Sequence, residues 1–253
     1  VIGIKKESIS SIPSLIVVDM DKENEALPMI TYFHGFTSAK EHNLDIAFLL
    51  AEKGFRVVLP DSKLHGERDT TTSIIQKTIN FWDIVMQNVK ELSEIRDHFE
   101  QRGLILDGRF GVAGTSMGGI TTSAALTQYP WIKTAAILMG SPRITTFAKQ
   151  LINNYKKVMD LPVTEVMIEN LYVQLEHYDL STKIEKLNQR PVLFWHGDND
   201  QVVPFDHSYS FYEEARKLYD NEENIRFIKE INRDHKVSRH AILETIKWFQ
   251  QHL

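Results

Sequence analysis

Apolar positions along this chain fall into two kinds of segment that alternate. Short runs rich in β-branched and other apolar residues recur at Leu15–Val18, Met29–Phe33, Arg56–Leu59, Arg109–Ala113, Thr134–Met139, Pro191–Trp195 and Ile225–Ile231. Several are nearly continuous rather than alternating, the pattern of strands covered on both faces in a parallel sheet. Longer stretches of helical character separate most of them. Ser38–Lys53 opens with Ser38 and Glu41 at capping-box spacing and stops at Gly54, a residue suited to the position just past a helix end. Ile74–Phe99 carries apolar residues mostly at three- and four-residue intervals, and Phe205–Tyr219 and Ser238–Leu253 are amphipathic in the same way. Strands alternating with helices predict a doubly wound, mostly parallel α/β sheet, with an antiparallel first strand or hairpin over Leu15–Phe33.

One stretch breaks the rhythm. Between Gly140 and Pro191 lie two or three helical patterns and no strand-like run, punctuated by Pro142, Pro162 and Pro191. A crossover between parallel strands needs only about a dozen residues. Residues 143–177 are therefore expected to form a small helical cap over the C-terminal edge of the sheet, inserted in a single domain spanning residues 1–253. An extra surface helix pair with no part in binding is the alternative.

Composition narrows the function classes. The chain has 253 residues, 42% of them apolar and 25% charged, as in an ordinary globular protein. A net charge of −5 with no basic block leaves no electrostatic footprint for nucleic acid. No apolar run approaches the roughly 18 to 20 residues that span a bilayer, so no membrane partner is expected. Val1 to Ser11 holds Lys5 and Lys6 but no apolar stretch of the signal-peptide kind. The absence of cysteine excludes disulfides, thiolate metal sites and a cysteine nucleophile, and fits the cytoplasmic location expected here.

The most informative stretch is Gly114-Thr115-Ser116-Met117-Gly118-Gly119. It follows the strand-like run Arg109–Ala113 and opens an Ala- and Thr-rich helical segment that runs to Tyr129. A G-x-S-x-G sequence in a strand–turn–helix setting places its serine on a sharp, strained turn with the hydroxyl clear of the sheet. The alternative is a plain helix N-cap, a place serine favours. A serine hydroxyl becomes a useful nucleophile only beside a base, usually histidine, that is itself oriented by a carboxylate. In this type of fold the three follow in the chain order Ser, Asp or Glu, His, after successive strands. His196-Gly197-Asp198-Asn199-Asp200-Gln201-Val202-Val203-Pro204 follows one strand, and Asn232-Arg233-Asp234-His235 follows the last. Asp200 is assigned as the orienting acid, with Asp198 as the fallback and a turn cap as its bland role. His235, in a loop directly after a strand, is assigned as the base ahead of His240 and His207, both on helices. Met117 N–H, at the start of a helix, is the first expected oxyanion donor.

Gly114–Gly119, His196–Pro204, Asp234–His235 and His34-Gly35-Phe36 together resemble the α/β-hydrolase superfamily. Within it the chain is most similar to small bacterial serine esterases near the dienelactone hydrolase and prolyl oligopeptidase branch. His34–Asn43 and Asp234–Val237 resemble a Bacillus-type esterase subfamily, and the likeness covers essentially the whole chain. It implies that the last acid of H-G-x-x-D-x-x-V-P, Asp200, is the triad member. It also implies that Phe36 N–H is the second oxyanion donor. Dienelactone hydrolases proper carry cysteine at the position of Ser116, so their particular chemistry is not implied.

The expected activity is hydrolysis of small carboxylic esters through an acyl-enzyme, without cofactor or metal. The rivals are a peptidase or amidase using the same triad, and a ligand-binding protein on the hydrolase scaffold. Trp82 and Tyr155 are taken as substrate-binding residues. Further apolar candidates are Phe147, Leu151, Ile152, Val158, Met159, Val166, Met167, Leu171, Tyr172 and Met86, although such spacing on a helix more often means packing. Lys40, Arg68, Arg143 and Lys236 are read as solvated surface rather than as a site for an acidic substrate.

Overall fold

The computed structural model describes residues 1–157 and 163–253. Its strands are β1 (Ile2–Ile9), β2 (Ile12–Asp19), β3 (Leu27–Phe33), β4 (Arg56–Pro60), β5 (Ile105–Thr115), β6 (Thr134–Leu138), β7 (Val192–Gly197) and β8 (Ile225–Glu230). They form one eight-stranded sheet in the order β1-β2-β4-β3-β5-β6-β7-β8. From β4 through β3 to β8 every neighbouring pair is parallel, while β1 and β2 form a hairpin that joins the edge of β4 antiparallel. This is the doubly wound, mostly parallel sheet the pattern predicted.

Helices cover both faces. Helix α1 (Leu44–Ala51) and helix α8 (Arg239–His252) pack on one; helices α3 (Phe81–Gln101), α4 (Met117–Gln128) and α7 (Phe205–Ala215) pack on the other. Strand residues divide between the two cores by simple alternation: Ile30 and Tyr32 face α1 and α8, whereas Met29 and Phe33 face α3 and α4. All seven residues of β3 are buried. That two-sided burial is why its sequence reads as a continuous apolar run rather than an alternating one.

Local differences from expectation have identifiable causes. The antiparallel hairpin lies over β1 and β2 rather than Leu15–Phe33, because β4 separates β2 from β3. Strand β1 has a partner on one side only, so its central residues Lys5 and Lys6 stay in solvent and mask the strand signal. The Ser38–Glu41 capping box does not form; a 3-10 turn occupies Lys40–Asn43, and the Ser38 hydroxyl lies 3.1 Å from His42 Nδ1. The long helical pattern at Ile74–Phe99 divides at Asn80, whose side-chain N–H donates to Gln76 O at 2.7 Å and closes helix α2 (Ile74–Ile79) before α3 begins. No helix among the described residues is long and apolar enough to cross a membrane.

Between β6 and β7 stand α5 (Ile144–Lys156) and α6 (Glu165–Glu176), packed on one another. Asp179 ties this segment down by accepting the Thr145 N–H at 2.7 Å. Pro162, expected to divide the segment, lies outside the described residues, as do Val158 and Met159.

The tightest approach in the fold is where α4 crosses the C-terminal ends of β3 and β5. A Cβ on Gly114 would overlap the backbone of Gly118, and one on Gly118 would overlap Phe33 O in β3. Both obstacles are backbone, so no side chain can swing aside. Gly118→Ala is accordingly expected to cost about 3 kcal/mol or more, the upper end of overpacking penalties. Thermal unfolding should show a Tm lower by roughly 6 to 12 °C for a chain of this size; an unchanged Tm would mean the crossing is slack.

Candidate active site

Ser116 is the residue between β5 and α4, and its backbone sits at φ 56°, ψ −114°. That region is sparsely populated for any residue with a side chain and costs of order 1–3 kcal/mol. It persists because both flanks are fixed. Ser116 N–H donates to Leu138 O in β6 at 2.8 Å, and Ser116 O accepts the Ile120 N–H at 2.9 Å. The turn therefore cannot relax without breaking the β5–β6 edge or the first turn of α4.

His235 and Asp200 converge on this serine from loops after β8 and β7. His235 Nε2 lies 2.9 Å from Ser116 Oγ, and His235 Nδ1 lies 2.6 Å from Asp200 Oδ2. A carboxylate only accepts, so Nδ1 carries the proton and Nε2 is left to accept from the serine. Asp200 is held by its own loop: Oδ1 accepts the N–H groups of Val202 and Val203 at 2.8 and 3.0 Å. Burial opposes its ionisation. Hydrogen bonds from His196 and His235, the attraction of the His235 imidazole when it is protonated and the Val202 N–H outweigh that, and hold its pKa well below the usual carboxylate range.

The competing assignments lie elsewhere. Asp198 accepts the Asn232 N–H at 2.7 Å and pairs with Lys229 at 3.3 Å, bracing the loop that carries His235. His207 is buried in α7 at 3.1 Å from the Ser141 hydroxyl, and His240 is exposed in the first turn of α8. One participant had no sequence signal as such. His196, fully buried in β7, donates from Nε2 to Asp200 Oδ2 at 3.0 Å. Its place at the head of the H-G-x-x-D motif was its only visible mark.

Met117 N–H opens α4, and neither it nor Phe36 N–H has an acceptor among the described residues. The loop carrying Phe36 comes close: a Cβ on Gly35 would lie 3.7 Å from Ser116 Cβ. Two histidines pin this loop. His34 Nδ1 donates to Gly35 O at 2.7 Å while its Nε2 accepts the Ser62 N–H at 3.0 Å. His65 Nε2 accepts the Thr37 N–H at 3.0 Å and its Nδ1 donates to Lys63 O at 2.9 Å. Each imidazole must be neutral to accept. Burial accordingly pushes the pKa of His34 down to about 4, and lowers that of His65 as well.

A buried ion cluster lies behind the loop. Lys40, read from the sequence as surface, is 1% exposed and places Nζ 2.5 Å from Asp61, 2.7 Å from Glu67 and 3.0 Å from Glu41. Burial works against its charge, but those three carboxylates outweigh it and raise its pKa. Arg68 forms a two-pronged bond to Glu91 at 2.8 Å, and Arg143 pairs with Glu214 at 2.7 Å. Of the four basic residues singled out, Lys236 borders an open cleft beside Ser116.

A cavity of about 370 Å³ opens on Ser116 between α2, the start of α3, α5 and α6. Trp82 and Tyr155 line it, as do Phe147, Leu151, Ile152, Met167 and Leu171. Val166, Tyr172 and Met86 are not among its lining residues, and Val166 is exposed. Sequence reasoning missed Phe81 and Ile120 from the helix starts and Val202 and Val203 from the loop of Asp200. Edge-to-face ring contacts run along one wall from Phe36 to Phe81, Trp82 and Phe147, with centroids 5.4, 4.9 and 6.0 Å apart. Among the described residues, no group of three or more histidine or carboxylate side chains is placed to hold a metal ion.

A serine on a strained strand–helix turn, reached by histidine from after the last strand of such a sheet, defines the α/β-hydrolase class. Residues 45–253 match the model of the prolyl oligopeptidase family, and the chain belongs to that family. It is 46% identical to the Bacillus subtilis protein named "Putative esterase YitV" and 27% identical to the Escherichia coli "Esterase YjfP", over the full length of each pair. Among solved structures it resembles TT1662 from Thermus thermophilus, with a TM-score of 0.77 at 18% identity, covering 99% of this chain and 98% of that one. That last likeness concerns the fold.

The neutral histidines make the loop sensitive to acid. Unfolded, His34 takes up a proton near 6.5; folded, only near 4. Between those values the unfolded chain binds more protons, so stability rises with pH across this window. The contribution of His34 is complete above about 6.5 and lost on approach to 4, a difference on the order of 3 kcal/mol. Urea midpoints measured from pH 7.5 to 4.5 should fall over this range, and the fall should be shallower in His34→Gln. Parallel curves for the two proteins would remove His34 from the account.

Proposed function

We propose that this protein is a serine hydrolase of small carboxylic esters, with Ser116 as nucleophile, His235 as general base and acid, and Asp200 as the orienting carboxylate. The continuous hydrogen-bonded chain from Asp200 through His235 to Ser116 Oγ carries this reading. Ser116 Oγ attacks the ester carbonyl carbon as its proton passes to His235 Nε2. The developing oxyanion is met by the N–H groups of Met117 and Phe36, the first favoured further by the positive end of α4. His235 returns the proton to the departing alcohol. Water then attacks the acyl-enzyme, with His235 again as base.

Residues 143–177 serve as a cap in this reading, with α5 and α6 roofing the cavity that receives the acyl group. Trp82 and Tyr155, which line that cavity, contact the group. The esterase names of the two full-length relatives support an ester over an amide substrate. A peptidase or amidase remains the rival, because the family takes its name from one.

Matched p-nitrophenyl hexanoate and hexanoyl p-nitroanilide separate these possibilities. The ester should turn over at least about a hundredfold faster than the anilide; the reverse order would favour the amidase. Ser116→Ala should abolish ester turnover, and Asp200→Asn should lower kcat by about 10³-fold or more, since the amide removes the negative charge and favours the wrong imidazole tautomer. Undiminished turnover in folded Ser116→Ala would refute the proposed chemistry.

A further inference from the structure

Ser116 stands between two cavities. The second, also about 370 Å³, shares only Ser116 and Phe36 with the first. Its chemistry is different. Its lining sets the polar Ser38, His42, Asn43, Asp45 and Lys236 among the apolar Ile46, Met139, Val237 and Ile242. Asn43 spends its amide N–H on Ala39 O, and Asp45 Oδ1 accepts the Ile46 N–H. The Asn43 carbonyl oxygen and Asp45 Oδ2 are left without donors among the described residues.

The direction of the reaction decides which half of an ester each cavity takes. On the serine-esterase reading above, His235 hands its proton to the oxygen of the leaving alcohol, so that oxygen must lie on the His235 side. His235 lines the second cavity and not the first. With the carbonyl oxygen directed at Met117 and Phe36 N–H, the acyl chain then enters the first, aromatic-walled cavity.

We propose that the second cavity is the leaving-alcohol subsite and that it selects a neutral, hydroxyl-rich alcohol, such as a polyol or sugar, over an alkyl alcohol. Asp45 and Lys236 contribute one charge of each sign, so neither an anionic nor a cationic alcohol is favoured. Hydroxyl groups both donate and accept, and so can satisfy a carboxylate, an amide oxygen and an ammonium in turn. An alkyl alcohol would displace water from these groups and replace none of its hydrogen bonds. As Ser116 Oγ bonds to the carbonyl carbon, the bond to the alcohol oxygen breaks, and that oxygen leaves with the proton from His235. Water entering by the same polar cleft completes hydrolysis and restores the Ser116 hydroxyl.

The test holds the acyl group constant and changes the alcohol: kcat/KM for 1-monohexanoylglycerol against butyl hexanoate. The glyceryl ester should be preferred by at least about tenfold, and the preference should shrink toward parity in Asn43→Ala/Asp45→Ala. Asp45→Asn serves as a milder variant if the double one does not fold. Equal or reversed preference in the wild type, or an unaltered ratio in folded variants, overturns the subsite. Turnover of p-nitrophenyl hexanoate by wild type and Ser116→Ala is measured alongside. Activity lost in Ser116→Ala with no glyceryl preference would sink the subsite alone; activity kept in that variant would sink the esterase reading beneath it.

Discussion

Everything at the site depends on how closely α4 can approach the sheet. The helix begins over the ends of β3 and β5, where Gly114 and Gly118 let backbone meet backbone with no side chain between. That contact leaves the connecting residue, Ser116, little room except a positive φ, and so lifts its hydroxyl off the strand ends. The same crossing brings the first N–H groups of α4 beside that hydroxyl. Strain at one residue is offset by the burial of Ile120, Ala124 and Ala125 against the sheet, since packed apolar area stabilises by roughly 25 cal/mol per Å².

The loops that meet Ser116 are fixed by polar groups rather than by apolar packing. Asp61 accepts the backbone N–H groups of Lys40 and Glu67 as well as the Lys40 ammonium, joining the loop after β3 to the loop after β4. Buried ion pairs of this kind add little net stability, because desolvation offsets much of the attraction. Their directional bonds nonetheless define one loop arrangement. His34 and His65 act in the same way, as neutral acceptors for single backbone N–H groups. On the proposed reading the Phe36 N–H meets an oxyanion and has to be positioned within tenths of an ångström, and rigid polar struts suit that requirement.

Much of this was legible in the linear pattern, and the illegible parts share a cause. Strands β2, β3, β4, β6 and β7 and the second half of β5 announced themselves because burial on both faces demands nearly unbroken apolar runs. Gly114 and Gly118 were visible because backbone contact admits only glycine, and Ser116 by its place between them. Strand β1 escaped notice because an edge strand with a solvated centre has no such demand. The buried Lys40 was misread since nothing local to it says that Asp61, 21 residues further on, will fold against it. The break at Asn80 turns on a side chain closing its own helix, a competition that periodicity does not register. Val202 and Val203 became cavity wall only through the turn that holds Asp200.

The central claim is that this crossing presents Ser116 as a nucleophile that becomes acylated. The most direct measurement is peptide mapping by mass spectrometry after acid-quenching the protein during turnover of an activated hexanoyl ester. The account predicts one hexanoyl group per chain, carried on Ser116. Turnover that leaves no acylated peptide, or an acyl group on a different residue, would contradict it.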